Sequence, residues 1–361
     1  MNSKPDQILP SRPGPVPRSR GAEALRLHRW LRQRPQLLPR GARLLLAVSG
    51  GQDSMALTSL MRDLQPLHGW DLALWHGDHG WHVASAVVAQ ELRAWGQAQG
   101  LVVWTDRAAA GEAKGEAAAR RWRYGCLAQQ ARRWDCRHVL TGHTASDRAE
   151  TVLLNLARGC HRRGLASLGS SRPLTELGQP GPSAALVRPL LIFDRADTGR
   201  LCQRLQLPLW LDPSNADTRL RRNRLRAEVL PVLEDCHPGA VRRISQQAER
   251  LAAELTSERE LLVLALQGLE RPGVSRTALD RPLLMRLSTA TRGRLLARWL
   301  EQHTGRCPNA SAIDSIVYRI AQPGGNGHHD LSRGWRLKWS SSLIFLCRTS
   351  HERSDANFCP S

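Results

Sequence analysis

Three clusters of polar residues hold the groups in this chain that could do chemistry. The first is Ser49-Gly50-Gly51-Gln52-Asp53-Ser54, which follows the apolar run Leu44 to Val48 and leads into a segment with helical spacing. Glycines let the backbone approach a ligand closely, and the free N–H groups at a helix start accept an anion. A loop of the GxxxxGK[ST] type would set a lysine on the terminal phosphates. This one has no lysine and carries Asp53 instead. A carboxylate beside a polyphosphate is repulsive unless a divalent cation lies between them. Ser49 to Ser54 therefore point to bound phosphate, with Asp53 placing Mg²⁺. A plain helix cap made by Asp53 or Ser54 is the alternative.

The second cluster lies in "GHTASDRAETVLLNLARG" (142–159). His143 closes a strand-like run, and Asp147 and Glu150, three apart, share one helix face. A histidine and two carboxylates facing one crevice could hold a metal or take a proton from an incoming nucleophile. A capping box on Thr144 or Ser146 is the structural alternative. The third group is cationic: Arg120 and Arg123 in 115–127, and Arg222 and Arg224 in the arginine-dense stretch 187–233. Such arginines could balance phosphate charge, or form a solvated helix face in which Glu116 and Arg120 make an i,i+4 pair.

These clusters need a frame. Apolar runs at 44–48, 71–76, 101–105 and 138–143 read as strands, and 55–64, 83–99, 116–134 and 146–157 as helices. Repeated βα units of this length predict an α/β fold, a parallel sheet with helices on both faces. Ligands in such sheets bind at the carboxyl ends of strands, so the clusters should converge on one crevice. The Gly-, Pro- and Ser-rich stretch 169–186 reads as a mobile surface loop. Beyond residue 238 the pattern is helical, closing with alternation in "WRLKW" and "LIFLC" (335–347), a terminal β-hairpin. The expected division is a disordered Arg/Pro-rich tail at 1–20, an α/β catalytic domain at 21–235, and a smaller, mainly helical domain at 236–361.

Composition narrows the class. No apolar run approaches the ~20 residues of a membrane helix, and the N-terminus lacks the apolar core of a secretory signal. The eight cysteines are scattered with no CxxC pair, which fits a reducing cytosol and suggests no zinc ribbon or iron–sulfur site. A formal charge of +20 favours a polyanionic partner, nucleic acid or anionic membrane, with an arginine-rich coding bias as the bland contribution.

The loop "SGGQDS" resembles that of the PP-loop ATPases (adenine nucleotide alpha-hydrolase-like), which split ATP between the α and β phosphates and adenylate a substrate oxygen. Residues 142–150 are similar to the HHxDDQAET stretch of one branch, the tRNA(Ile)-lysidine synthetases, and the likeness runs on through "NLARG". "HGDHGWH" (76–82) resembles that family's VDHG element. "GEAAARRWRYGCL" (115–127) resembles its N-x-E-x-x-A-R-x-x-R-Y helix, keeping Glu116, Arg120, Arg123 and Tyr124. "VRPLL" and "WLDPSNADTRLRRNRLRAEVLPVL" (210–233) resemble its RPLL and D-x-SN-x-D…RNRIR…LP-x-L run. The resemblance covers about residues 40–235. It departs at Thr144, Ser146 and Arg148, where the family carries a second histidine, its first acid and a glutamine.

The resemblance implies a two-step, ATP-dependent ligase. C2 of the wobble cytidine in the CAU anticodon of tRNA(Ile) is adenylated, and L-lysine then displaces AMP. The lysidine formed changes codon reading from AUG to AUA and amino-acid identity from methionine to isoleucine. It further implies Asp53, His143, Asp147 and Glu150 as catalytic residues, with Asp53 and Asp147 on Mg²⁺ and Ser49, Gly50, Gly51, Gln52, Asp53 and Ser54 on ATP. Arg120, Arg123, Arg222 and Arg224 would contact tRNA or AMP charge. The setting would be the cytoplasm, with no membrane and no stable protein partner, a homodimer being left open. Another PP-loop tRNA-modifying enzyme, such as a tRNA thiolase, is the alternative.

Overall fold

The computed structural model describes residues 21–81, 85–174, 184–210, 219–271, 278–322 and 324–349. The tail 1–20, His82 of the second strand's motif, the polar residues Asp212, Ser214, Asn215 and Asp217, and residues 350–361 lie outside them.

Leu44, Leu45 and Leu46 are each fully buried, as a continuous apolar run must be in a strand covered on both faces. They form β1 (Arg43–Ala47), preceded by α1 (Ala22–Arg32). Because side chains alternate along a strand, Leu44 and Leu46 enter one core with Leu27, Met55, Leu60 and Trp95. Leu45 enters another, with Leu127, Ala128 and Ala131. The helices thus cover both faces of the sheet, as the βα pattern requires.

The chain continues through α2 (Gln52–His68), β2 (Asp71–Asp78), α3 (Ser85–Ala98), β3 (Val102–Arg107), α4 (Glu116–Arg133), β4 (His138–Thr141) and α5 (Ala145–Ala157). After α6 (Arg162–Leu165) come two short strands, β5 (Ser171–Pro173) and β6 (Ala185–Val187), then a 3₁₀ turn at Pro189–Ile192 and α7 (Arg195–Arg204). The sheet order is β3-β2-β1-β4-β6-β5. Every pairing is parallel except β5 against β6. The order reverses between β1 and β4, so the crevice at their carboxyl ends is the topological switch point, where such sheets bind ligands.

The expected loop at 169–186 is therefore corrected at both ends. Ser171–Pro173 and Ala185–Val187 pair as strands, because Leu186 and Val187 gain full burial by extending the sheet; residues 175–183 lie outside the described chain. Among the helices that carried no expectation are α1 and α7. Both are arginine-rich, and in α1 only Ala24, Leu27 and Leu31 mark the inward stripe.

Next come α8 (Arg221–Arg224), a π-helical stretch Leu225–Val229, α9 (Leu230–Cys236) and the long α10 (Ala240–Leu269). The chain divides into two compact units, Met1–Ala252 and Ala253–Ser361, the division falling inside α10. Within the first unit, Leu225, Leu230, Leu233, Val241 and Ile244 pack on Ala149 and Leu153 of α5. In addition the buried Arg148 donates to the Leu168 and Ser245 carbonyls at 3.1 and 3.2 Å and pairs with Glu249 at 3.3 Å. This arginine, standing where the resembling family has glutamine, fastens α5 to the opening turns of α10.

The second unit adds β7 (Ala278–Asp280), α11 (Arg281–Met285), α12 (Thr289–Thr304), α13 (Ala310–Ala321), β8 (Gly327–Leu331), β9 (Trp335–Trp339) and β10 (Leu343–Arg348). The expected terminal hairpin is β9–β10, the centre of an antiparallel sheet ordered β7-β10-β9-β8. The apolar faces of α12 and α13, with Leu295, Trp299, Leu300 and Ile316, share one core with Leu337 and Ile344 of the sheet. Arg281 is buried there and donates to the carbonyls of Ile320, Gln322, Gly325 and Ser340 at 2.7 to 3.1 Å, so its charge is satisfied by peptide dipoles. Among the described residues no helix is long and apolar enough to cross a membrane.

Candidate active site

The loop after β1 is built by its own side chains. Gly50 adopts φ +84°, open to glycine at no steric cost. A Cβ there would also stand 3.1 Å from the Trp210 ring, whose backbone N–H donates to the Gly50 carbonyl at 3.0 Å. The Ser54 hydroxyl donates to the Gly51 carbonyl at 2.8 Å and accepts from the Ser49 N–H at 3.2 Å. The turn is thus closed in on itself, and α2 begins at Gln52 with first-turn N–H groups that have no partner inside the helix.

The loop after β4 reaches the same place through a residue the sequence reading passed over. A Cβ on Gly142 would lie 2.9 Å from the Asp53 carbonyl carbon and oxygen and from the Ser54 nitrogen. Only a glycine lets the end of β4 lie against the first turn of α2 there. His143 follows, its Nδ1 2.8 Å from the Thr141 hydroxyl, and Thr144 caps α5. The capping box is real: Asp147 Oδ2 accepts from the Thr144 N–H at 2.8 Å and from its hydroxyl at 3.0 Å. Yet the cap uses one oxygen only. Asp147 Oδ1 faces Arg222 and Arg226 at 3.2 and 3.4 Å.

Glu150 is fully buried one turn on. Its Oε2 accepts from Arg222 Nε at 2.7 Å and its Oε1 from Arg226 Nε at 2.6 Å, with Arg226 Nη2 adding a third bond at 3.0 Å. Charge-assisted, bidentate contacts of this kind are the strong ones. Arg226 was not among the expected site residues, although its spacing of four from Arg222 puts both on one helix face.

Asp53 is held by elements that no local pattern announces. Its Oδ2 pairs with Arg195 at 3.0 Å and its Oδ1 accepts from the Thr198 hydroxyl at 2.6 Å. Gln52 Nε2 donates to the Arg195 carbonyl at 2.7 Å and to the Thr198 hydroxyl at 2.9 Å. The Arg195 N–H in turn donates to the buried Ser146 hydroxyl at 3.1 Å. The serine that replaces the family's first acid therefore ties the start of α7 to the start of α5.

The electrostatics separate the acids. Burial pushes the Asp53 carboxyl above its usual range, and Arg195 and Thr198 offset that only in part. Burial pushes Asp147 the same way, but Arg222, the Thr144 N–H and Arg226 hold it below, with His143 adding to this only where it is itself protonated. His143 is driven down, first by burial and then by Arg188, Arg222 and Arg120, against the pull of Asp147, so its imidazole is neutral at neutral pH.

Of the expected residues, Ser49 to Ser54, His143, Asp147, Glu150 and Arg222 converge on the switch point. Arg120 reaches it only through its charge on His143. Arg123 lies 3.2 Å from His79, and Arg224, exposed, pairs with Glu228 at 2.8 Å. Among the described residues no three His, Cys, Asp or Glu side chains are grouped to hold a metal. Mg²⁺, however, commonly takes one or two carboxylates and completes its shell with water and substrate phosphates. Asp53, with its incompletely compensated charge next to the loop, and Asp147, whose charge it feels, fit that donor set.

A strand, a self-closed SGGxDS turn and a helix start at the switch point of a parallel sheet define a PP-loop nucleotide-binding unit. Residues 26–233 match the PP-loop domain family and residues 279–352 the TilS substrate binding domain. The chain is 50% identical over 322 residues to the tRNA(Ile)-lysidine synthase of Parasynechococcus marenigrum, covering 89% of this chain and 93% of that one. It is 40% identical to that of Prochlorococcus marinus strain SARG, covering 89% and 95%. The chain belongs to the tRNA(Ile)-lysidine synthase family. It is also similar to the U34-tRNA thiolase NcsA of Methanococcus maripaludis, with a TM-score of 0.52 and 18% identity over 64% of this chain and 79% of that one, a likeness of fold alone.

Proposed function

We propose that the chain is the ligase that makes lysidine on tRNA(Ile), using ATP and L-lysine and releasing AMP and diphosphate. The observation that carries the reading is the meeting of a phosphate loop with a buried carboxylate–arginine cluster across one strand boundary, in a chain with both domains of the family. The thiolase alternative rests on the shared fold only.

In this scheme Ser49 to Ser54 bind the ATP phosphates through backbone N–H groups. Asp53 and Asp147 would hold Mg²⁺, which when bound neutralises phosphate charge in the leaving diphosphate. The cytidine C2 oxygen attacks the α phosphorus, giving an adenylated base and diphosphate. The lysine amine then adds at C2 and AMP departs. His143, neutral at neutral pH, is available to accept a hydrogen bond from the attacking amine and so orient it, the amine's proton passing to solvent. Glu150 works indirectly: it aligns Arg222 and Arg226, whose remaining donors stabilise charge on the departing AMP.

The exposed Arg224 serves tRNA contact, as Arg120 and Arg123 do nearer the crevice. Residues 236–361 act as the tRNA-binding region, after the catalytic part 21–235, in the cytoplasm. Because Arg148 holds Ser245 and Glu249, a truncation testing that division belongs after residue 271. It should weaken tRNA binding more than ATP binding.

The direct test is incubation with labelled lysine, ATP and tRNA(Ile). Lysine stably joined to a base, with one AMP formed per lysine, is expected. ATP consumption without base-linked lysine would sink the proposal.

A further inference from the structure

Adjacent to the crevice is a group of arginines of which the scheme above uses only Arg120, in tRNA contact. In the sheet β4 lies between β1 and β6, so the residues that follow β6 sit on the opposite side of His143 from the phosphate loop. Arg188 is there, 2% exposed. It donates through Nη1 to the Gly169 carbonyl at 2.7 Å, while its buried Nε has no hydrogen-bond partner among the described residues. Arg120 of α4 and Arg172 of β5 both stack on Tyr124, their guanidinium carbons 5.0 and 4.7 Å from the ring centroid.

Among the described residues no carboxylate lies within ion-pair distance of Arg120, Arg172 or Arg188. The effect on their neighbours is one of uncompensated positive charge. Burial would raise the Tyr124 phenol, yet Arg120, Arg172 and Arg188 bring it below its usual value. Burial pushes Arg188 itself down to about 10, opposed by the Tyr124 phenol, to which it is hydrogen-bonded, with Arg172 and Arg120 adding to the push. Arg120 and Arg172 on the ring and the buried Arg188 beside its phenol form a like-charged set, which an anion would complete and which is costly at Arg188 without one.

We propose that Arg120, Arg172 and Arg188, arranged about Tyr124, form a phosphate-binding site that grips a backbone phosphate of the RNA substrate beside the reacting nucleotide. The proposal rests on the tRNA reading of the same crevice. Free lysine, with net charge +1, would be repelled by this set, whereas planar guanidinium groups suit phosphate oxygens. The ATP phosphates already have the N-terminus of α2, two strands away from β6. The remaining source of phosphate besides RNA is the released diphosphate.

The test uses the full-length enzyme with Arg172→Ala, Arg172→Lys and Arg120→Ala. Thermal melting checks that each is folded, and the lysine variant keeps the test open if an alanine variant is not. Binding of labelled tRNA(Ile) is followed by anisotropy over a KCl series, with ATP binding and diphosphate inhibition measured in parallel. Each alanine change should weaken tRNA binding about 5- to 30-fold at low salt and lower the slope of log affinity against log salt by up to about 0.7 to 0.9, the value for one whole phosphate contact. Arg172→Lys should keep the slope. ATP and diphosphate should be unaffected. Unchanged tRNA affinity and slope would overturn the proposal, and a loss confined to diphosphate inhibition would overturn the RNA assignment. If wild-type enzyme bound tRNA but attached no lysine, the lysidine reading would fall while the slope comparison would still decide this one.

Discussion

Two sets of arginines flank the crevice of the first unit, and they are in opposite electrostatic states. Arg222, Arg226 and Arg195 spend their charge on Glu150, Asp147 and Asp53. Arg120 and Arg172 share the Tyr124 ring, Arg188 lies against its phenol, and none of the three pairs with a carboxylate among the described residues. A paired set supports the fold and shapes the site before any ligand arrives. An unpaired set is poised for a ligand and costs stability until one binds. Net charge cannot tell these apart, since both contribute equally to +20.

The largest effect should come from breaking the paired set. Glu150→Gln leaves Arg222 and Arg226 partly buried beside a neutral amide. Removing one member of a buried pair costs about 3–5 kcal/mol. Chemical denaturation should show a loss of that order and lysine attachment should vanish, since both guanidinium groups lose their orientation. Wild-type stability in this variant would mean that the cluster carries no structural weight. Arg172→Ala makes the opposite case in the other set: it removes one of several like charges, so stability should be unchanged or rise by up to about 1 kcal/mol.

Next in size is Gly142→Ala. Its new Cβ would press on the Asp53–Ser54 peptide, and overpacking of a tight contact costs roughly 1–3 kcal/mol. The displacement falls on the start of α2, so ATP affinity should drop by more than about tenfold while tRNA affinity is kept. Titration calorimetry with ATP and anisotropy with tRNA separate the two. Equal losses would show that the contact supports the fold generally and not the phosphate loop.

The legibility of these features follows chain distance. The SGGQDS loop and the His143, Asp147, Glu150 spacing are local, so residue order reveals them and the strand alternation says that they meet. Arg222 and Arg226 were half legible, because a spacing of four fixes a shared face but not what it faces. The Arg195 and Thr198 contacts to Asp53 span more than 140 residues and have no local signature. They depend on α7, a helix whose polar sequence hid it. Gly142 looked like an ordinary loop glycine, because its requirement comes from a backbone that passes by and not from its own turn.

The smallest predicted effects, and the most diagnostic in sign, separate Asp53 from Asp147. The folded pKa of Asp53 is raised by burial, beyond what Arg195 and Thr198 offset, so the folded state holds its proton more tightly than the unfolded chain. Its ionisation then costs stability as pH rises from the ordinary carboxylate range through the folded pKa. Asp53→Asn should therefore match or exceed the wild type in melting temperature at pH 7, and that advantage should shrink on acidification. Activity should nonetheless be lost. Asp147 has the opposite shift: burial is outweighed by Arg222, the Thr144 N–H and Arg226. Its contribution is present above the unfolded pKa and is lost as pH falls through the lower folded value. Asp147→Asn should be less stable than wild type at neutral pH, with the gap closing in acid. Melting curves of the two variants across pH decide the matter. Parallel behaviour would mean that one carboxylate is as well compensated as the other, and that Asp53 has no uncompensated charge with which to attract a cation.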